Sequence, residues 1–297
     1  MAFHAGYMGY AKLGATTIRI TGSSLNPVQA INAPDLVQGE YNKRAWNYGA
    51  IETGGNITGP LGEVSSVALT DYAWYRETDG DRMLYPIDVD LYFYKATGNS
   101  GRKFAGCQVD SYALSITAGD VANFTAEFFG KQVTAIGGSV FNATECEKLI
   151  TWDRCGLSGW LSGGGALNLE DYIQGWSLNI NNNLKRIQRV GQDDLFPVDI
   201  LAGIRDITGS VTIYADDLNN DLLTTLGVTP YFGADDSSAD PTGYVASSVT
   251  TLVFEAGPIS FNINCNFDRT AANATTDTMQ YTANFTGLCN DYTTTPT

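Results

Sequence analysis

Few residues in this chain have the types that do chemistry, and their spacing does not favour it. Nucleophilic catalysis needs a base within hydrogen-bond reach of a hydroxyl or thiol. The one histidine is His4, beside the N-terminus. There is no G-x-S-x-G elbow, no Walker A motif and no G-x-G-x-x-G. The Gly163–Gly165 run lacks both the following Lys and a spaced third Gly. Asp217, Asn219 and Asp221 begin like an EF-hand loop. Leu222 and Val228 then stand where that loop requires Gly and Glu, so Ca²⁺ binding of that kind fails. The adjacent pairs Asp193/Asp194, Asp216/Asp217 and Asp235/Asp236 could serve as glycosidase carboxylates. Adjacent Asp in loops are far more often solvated turn residues. No catalytic residue, cofactor or metal site is therefore expected.

The cysteines lead to the same expectation. Cys107, Cys146, Cys155, Cys265 and Cys289 are odd in number and widely spaced, with no C-x-x-C. That argues against a full disulfide framework or a zinc site and for buried small apolar residues. A Cys146–Cys155 bridge is the exception to check. Sequons at Asn56, Asn123, Asn142, Asn273 and Asn284 fit an Asn/Thr-rich composition rather than glycosylation.

The elements that would carry these residues are mostly strands. From Tyr172 to Asp217 the chain reads YIQGWSLNINNNLKRIQRVGQDDLFPVDILAGIRDITGSVTIYADD. Trp176, Leu178 and Ile180 alternate with Ser177, Asn179 and Asn181. After Pro197 a second run sets Ile207, Gly209, Val211 and Ile213 against Thr208, Ser210, Thr212 and Tyr214. A period of two marks a half-buried strand, so this is a large hairpin with a charged, flexible loop between its arms. Shorter versions occur twice. Tyr112, Leu114 and Ile116 return as Phe124, Ala126 and Phe128; Ile259, Phe261, Ile263, Cys265 and Phe267 return as Met279, Tyr281, Ala283 and Phe285. The segments 16–21 and 87–95 also alternate as strands, and 96–102 reads as a turn. Residues 23–40, with Pro27 and Pro34, read as a loop or extended arm. Residues 41–57 read as a hairpin whose tip holds Trp46 and Tyr48, an aromatic pair suited to an interface or to burial.

Three short helices complete the expectation. Glu63–Arg76 places Val64, Val67, Ala68, Asp71, Tyr72 and Tyr75 at a spacing near the helical repeat. Thr144 with Glu147 resembles a capping box ahead of KLITWD. Residues 217–226 run into Gly227, a natural C-cap. Residues 156–166 read as a flexible linker, 235–243 as an acidic loop, and 291–297 as a disordered tail.

The chain has 297 residues, with 43% hydrophobic content, 32 glycines and a formal net charge of −15. That composition supports a sizeable core in a mainly β protein. The charge is opposite to that of a nucleic-acid binder. Two readings of this acidity stay open: it gives solubility alone, or it lets a wall guide DNA by repelling it. Within this acidity one asymmetry stands out. Residues 193–240 hold ten Asp and one basic residue, Arg205, directly after Lys185, Arg186 and Arg189. Opposed patches of this kind let copies attract head to tail and close into rings. No apolar run reaches transmembrane length. The N-terminus lacks the features of a signal peptide, so synthesis in the cytosol and no membrane partner are expected.

The stretch 172–217 also resembles the hairpin region of bacteriophage tail tube proteins, through its strand, Asn-rich turn, basic patch and the run PVDILAGIRDITGSVT. Residues 104–130 and 259–287 are similar to it more weakly, and 1–100 only loosely. The resemblance implies a single elaborated domain over 1–297, a β-sandwich or barrel with long hairpins and two or three short helices. Its arm and helix elaboration would occupy 1–100 and its core hairpins 101–290. It implies hexameric rings stacked into a conduit for DNA ejection, in the virion of a phage and without enzymatic activity. Expected partners are further copies, the tail sheath, the baseplate or tail tip, and the tail terminator, with DNA passing unbound. On that reading Asp193, Asp194, Asp199 and Asp206 face the lumen or the ring-stacking surface. Lys185, Arg186 and Arg189 form a subunit contact, and Trp46 and Tyr48 a loop interface. The competing expectation is a carbohydrate- or surface-binding β-sandwich that uses exposed aromatics such as Trp46, Trp74 and Trp160.

Overall fold

Alternating apolar and polar residues run through most of the chain, and that pattern folds as strands. A computed structural model describes residues 9–32, 47–74, 76–78, 81–93, 100–136, 147–158, 173–189, 195–215, 250–267, 271–274 and 279–294. In chain order they form β1 (Gly9–Leu13), β2 (Thr16–Ile20), β3 (Gly22–Ser23), β4 (Asn26–Asn32), β5 (Asn47–Pro60) and helix α1 (Glu63–Ala73). Next come β6 (Arg76–Thr78), β7 (Asp81–Met83), β8 (Ile87–Phe93), β9 (Ser100–Thr117), β10 (Asn123–Gly130) and β11 (Gln132–Ile136). A 3-10 turn (Trp152–Arg154) leads into β12 (Cys155–Ser158), β13 (Ile173–Asn181), β14 (Lys185–Ile187), β15 (Asp199–Leu201) and β16 (Asp206–Ala215). The series ends with β17 (Thr250–Ala256), β18 (Ile259–Phe267), β19 (Ala271–Ala274) and β20 (Met279–Thr294). The fold is mainly β, as the alternation requires.

Two compact units emerge. The first comprises Met1–Tyr112, Phe124–Lys148 and Asn181–Arg205. Its central strand is β9, which pairs with β8 from Ser100 to Cys107 and with β11 from Gly101 to Ala105. β8 pairs with β1, and β1 with β2. On the far side β10 joins β9 to β5, and β3 and β4 both pair with β5. The alternation settles which residues go inside: Val89 and Leu91 of β8, Phe104 of β9, and Phe124, Ala126 and Phe128 of β10 are all buried. Each large apolar side chain removed from water in this way stabilises the fold by about 1.5–3 kcal/mol.

The second unit comprises Ala113–Asn123, Leu149–Ile180 and Asp206–Thr297. Its strands run β12-β17-β18-β20-β16-β13, all antiparallel where their register is defined. β16 and β13 are neighbours, as the alternation of the long hairpin predicts. The aromatic core is a row. Trp176 meets Phe254 edge-on with ring centroids 5.3 Å apart, and Phe254 lies 5.3 Å from Phe285. Gly209 pairs with Phe285 across the β16–β20 ladder, and a Cβ there would fall 2.4 Å from the Phe285 ring. A Cβ would also fall 2.3 Å from Ser177 O, so glycine is what lets the ring and the neighbouring strand approach this closely.

Several expectations are corrected. Helix α1 exists, but its buried face is Ser65, Ser66, Leu69, Thr70 and Ala73, while Val64 is exposed. The serines can sit inside because their hydroxyls are paired: Ser65 Oγ accepts from Gly62 N–H at 3.0 Å and Ser66 Oγ donates to Glu63 O at 2.9 Å. The segment expected to form a helix behind Thr144 is extended from Glu147, with only the 3-10 turn at Trp152–Arg154. Among the described residues α1 is the one α-helix; 217–226 lie outside them. Residues 26–32 form a strand rather than a free arm, paired to β5 with Ile31 opposite Tyr48. Of the expected 41–57 hairpin, 47–57 belongs to the long strand β5, and 41–46 lie outside the described residues. β9 already begins inside the expected turn at Ser100, and β12 takes up the start of the expected linker. β20 runs on to Thr294, paired with β18, so no disordered tail begins at residue 291.

Glu147 does cap a helix, but one far away in sequence. Its Oε2 accepts from the backbone N–H groups of Val64 (3.2 Å) and Ser65 (2.8 Å) at the start of α1. The Lys148 carbonyl accepts from Glu63 N–H at 3.0 Å. Three orphan donors are thereby satisfied, and the carboxylate meets the positive end of the helix dipole. Gly62 makes room for it, since a Cβ there would sit 2.0 Å from Glu147 Cδ. Glu147→Ala should lower stability by about 0.5–2 kcal/mol in urea denaturation. Gly62→Ala should lose the same cap, so the double variant should be no worse than the more damaging single one. Full additivity would show that Glu147 is not the cap.

Candidate assembly surface

The arms of the long hairpin, β13 and β16, belong to the second unit, but residues 181–205 between them belong to the first. Three consecutive asparagines begin this excursion, each with a different task. Asn181 Oδ1 accepts from Asn183 N–H at 2.9 Å, a local turn typical of Asn. Asn182 is fully buried. Its Nδ2 donates to the carbonyls of Ala73 and Val109, both at 2.9 Å. Its Oδ1 accepts from Arg205 Nε at 3.0 Å. Its backbone N–H donates to Asp110 O (2.7 Å), and its carbonyl accepts from Gly203 N–H (2.9 Å). Asn183 takes the left-handed conformation at φ 51°, which Asn tolerates, and donates through Nδ2 to Ile204 O at 2.7 Å. Both ends of the excursion are thus tied at one buried amide.

Between those ends β14 and β15 make a two-stranded ribbon, with Lys185 opposite Leu201 and Ile187 opposite Asp199. Its inner face carries Arg186 and Ile200. Ile200 packs with Leu84 and Leu184, flanked by Phe129 and Ala202. Arg186 donates to Thr53 O (3.0 Å) and Glu52 Oε2 (3.4 Å), and its guanidinium lies 3.8 Å over the Phe129 ring. Arg205 stacks on Trp74 at 4.3 Å. Such cation–π contacts strengthen when shielded from water. The outer face carries Lys185, Ile187, Asp199 and Leu201, all exposed. Within the loop expected to be charged and flexible, 185–187 pair with 199–201 as a two-stranded ribbon.

Two carboxylates of this region are shifted in opposite directions. A hydrogen bond from Lys131 Nζ, at 2.7 Å, holds the exposed Asp199 carboxyl below its ordinary range, helped by the Ile200 N–H. Burial pushes the Asp110 carboxyl up, against the Leu184 N–H that it accepts at 2.6 Å and the nearby Arg186 charge.

The sequence-derived residues fall as follows. Lys185 and Arg189 are exposed, whereas Arg186 is held inside its own unit. Asp199 is paired with Lys131, and Asp206 opens β16 on the surface. Tyr48 stands on β5 opposite Ile31. Asp193, Asp194 and Trp46 lie outside the described residues. Asn182, Asp110 and Phe129 are supports of this region that the sequence reading missed; Trp74, expected among the exposed aromatics, is instead buried under Arg205, and Trp160 lies outside the described residues. The Asn triplet was the one available signal, and it was read only as a turn. Among the described residues no group of three or more His, Cys, Asp or Glu could hold a metal ion. In the second unit a cleft of about 290 Å³ is lined in part by Trp152, Cys155, Trp176 and Glu255. Burial pushes the Cys155 thiol up to about 12, so it stays protonated and is no ready nucleophile. Cys155 is a free thiol, as are Cys107 and Cys265; Cys146 lies outside the described residues.

Asn182→Ala should lower stability by about 1–3 kcal/mol for each buried partner left without a bond, measured by urea denaturation. A loss below about 0.5 kcal/mol would show that water replaces the amide. Asp110 gives a pH dependence with a defined sign. Its folded pKa is raised, so the folded state binds more protons and stability falls as pH rises from about 3.8 through the folded value. Asp110→Asn keeps an acceptor for Leu184 N–H. It should remove that decline and be at least as stable as the parent at pH 7. A variant less stable at pH 7 than at pH 3.5 by the parent's margin would refute the assignment.

A search of curated proteins gives no match. A protein-family model described as phage tail tube protein matches residues 6–287 of the 297. With that match across nearly its whole length and a mainly β fold, the chain belongs to the phage tail tube protein family and is a structural protein of the virion tail.

Proposed function

We propose that copies of this chain close into rings of six, and that the rings stack into the tube through which DNA leaves the phage particle. The match of the tail tube family over residues 6–287 carries this reading. The tube meets a tip or baseplate at one end and a terminator at the other, with a sheath around it if the tail contracts. Exposed strand edges join between copies by β-augmentation, which also removes their aggregation hazard. Lys185 and Arg189, the exposed members of the basic patch, lie at a contact between copies, and Trp46 and Tyr48 belong to a loop interface. Asp193, Asp194, Asp199 and Asp206 face the lumen or the ring-stacking surface. Net charge −15 suits the conduit, because an acidic wall repels phosphates and does not hold the passing strand.

Negative-stain electron microscopy of the purified protein over a salt series tests this reading. Copies of like charge repel over about 30 Å at 0.01 M salt but only about 3 Å at 1 M. Hollow tubes or stacked rings should therefore increase with ionic strength, and duplex DNA should show no mobility shift at physiological salt. Dispersed small particles at every salt and protein concentration would count against the ring and tube reading.

A further inference from the structure

Nine large apolar side chains are exposed among the described residues, and four of them, Ile187, Leu195, Leu201 and Ile204, lie on the one excursion between β13 and β16. Ile204 is 78% exposed and Leu201 52%. The ribbon register places two of the four together, and a third, Ile204, follows three residues after β15. Leu201 sits opposite Lys185 and Ile187 opposite Asp199, so Ile187 and Leu201 are diagonal neighbours on the outward face. Asn183, two residues ahead of β14, donates through Nδ2 to the carbonyl of Ile204 and so holds that residue beside the start of the ribbon.

This apolar face is presented by an ordered support. Asn182 ties both ends of the excursion, Arg186 clamps its inner side to β5, and Leu195 O accepts from Ile51 N–H at 2.8 Å. A surface fixed before it meets its partner loses little conformational freedom on binding. The structure therefore holds still, in water, the kind of patch that usually marks a protein contact.

We infer that the outward face of the β14–β15 ribbon, centred on Ile187, Leu201 and Ile204 and rimmed by Lys185 and Arg189, is a contact surface for a second copy of this chain. Charge selects that partner. The chain carries 32 acidic and 17 basic residues, so most approaches between two copies bring like charges together. On this face the outward carboxylate, Asp199, is paired with Lys131, while Lys185 and Arg189 stand exposed. A second acidic copy meets attraction at the rim and apolar contact at the centre, the usual anatomy of a protein interface. Among the described residues of this face, duplex DNA would find two exposed cations around an apolar centre. This inference rests on the reading that copies assemble, and it assigns the surface by which they do so.

Two variants test it, Leu201→Asp/Ile204→Asp and Lys185→Glu/Arg189→Glu, compared with the parent chain by sedimentation and negative stain at matched concentration and salt. All four positions are exposed, and circular dichroism with a thermal melt checks that the variants stay folded. The apolar pair should lower the assembled fraction by about tenfold or more at every salt. The charge pair should lower it most at low salt, where rim attraction is least screened. Folded variants that assemble like the parent would overturn the inference and leave the tube reading intact. A parent chain that stays monomeric under every condition would overturn both. A DNA mobility shift abolished by the charge pair, with assembly unchanged, would reassign the face and overturn the inference.

Discussion

A single buried amide governs how the excursion of this protein is presented. Asn182 joins the end of α1 at Ala73, strand β9 at Val109 and Asp110, and the return of the excursion at Gly203 and Arg205. An amide has two donors and an acceptor with two lone pairs, and three of those positions are filled here through side-chain bonds alone. Buried polar groups stabilise only when paired, so an amide this well paired fixes one arrangement of its neighbours and excludes the alternatives. The ribbon that carries Lys185, Ile187 and Leu201 is positioned by that choice.

Basic residues are scarce in this chain, and most of the paired ones act within their own unit. Arg186 lies over Phe129 and against Glu52, Arg205 over Trp74, Lys103 against Asp88 at 2.7 Å, and Lys131 against Asp199. The exposed pairs among these add little stability, because water and salt screen them. Their larger effect is on the surface that remains, which is acidic wherever a carboxylate has no such partner. In the conduit proposed above, internal use of the cations and the net charge would act in the same direction, against holding DNA at the wall.

The capping of α1 shows the same economy of local signals. A helix of modest amphipathicity, with serines and a threonine on its buried face, gains its first turn from Glu147 and Lys148 on a distant extended segment. Its propensity alone would leave so short a helix marginal. The cap and the packing of Leu69 and Ala73 hold it.

How much of this was legible in the residues depends on how local each signal is. Strand faces were legible because a period of two is written in adjacent residues: Trp176, Leu178 and Ile180 are buried as the alternation requires, and so are Phe124, Ala126 and Phe128. The helix at 63–73 was legible as an element but not in its orientation, since Val64 is exposed and Ser65 and Ser66 are buried through contacts distant in sequence. The family resemblance was legible in the stretch from Tyr172 to Asp217. Chain order alone did not contain the partner of Glu147, the burial of Asn182 or the withdrawal of Arg186 from the surface. Each depends on groups brought together from 73 to 133 positions apart. Pattern and charge are properties of neighbouring residues and of sums, so the sequence by itself determined them. Which polar side chain is buried, and against whom, is a property of the folded arrangement, and only tertiary structure decided it.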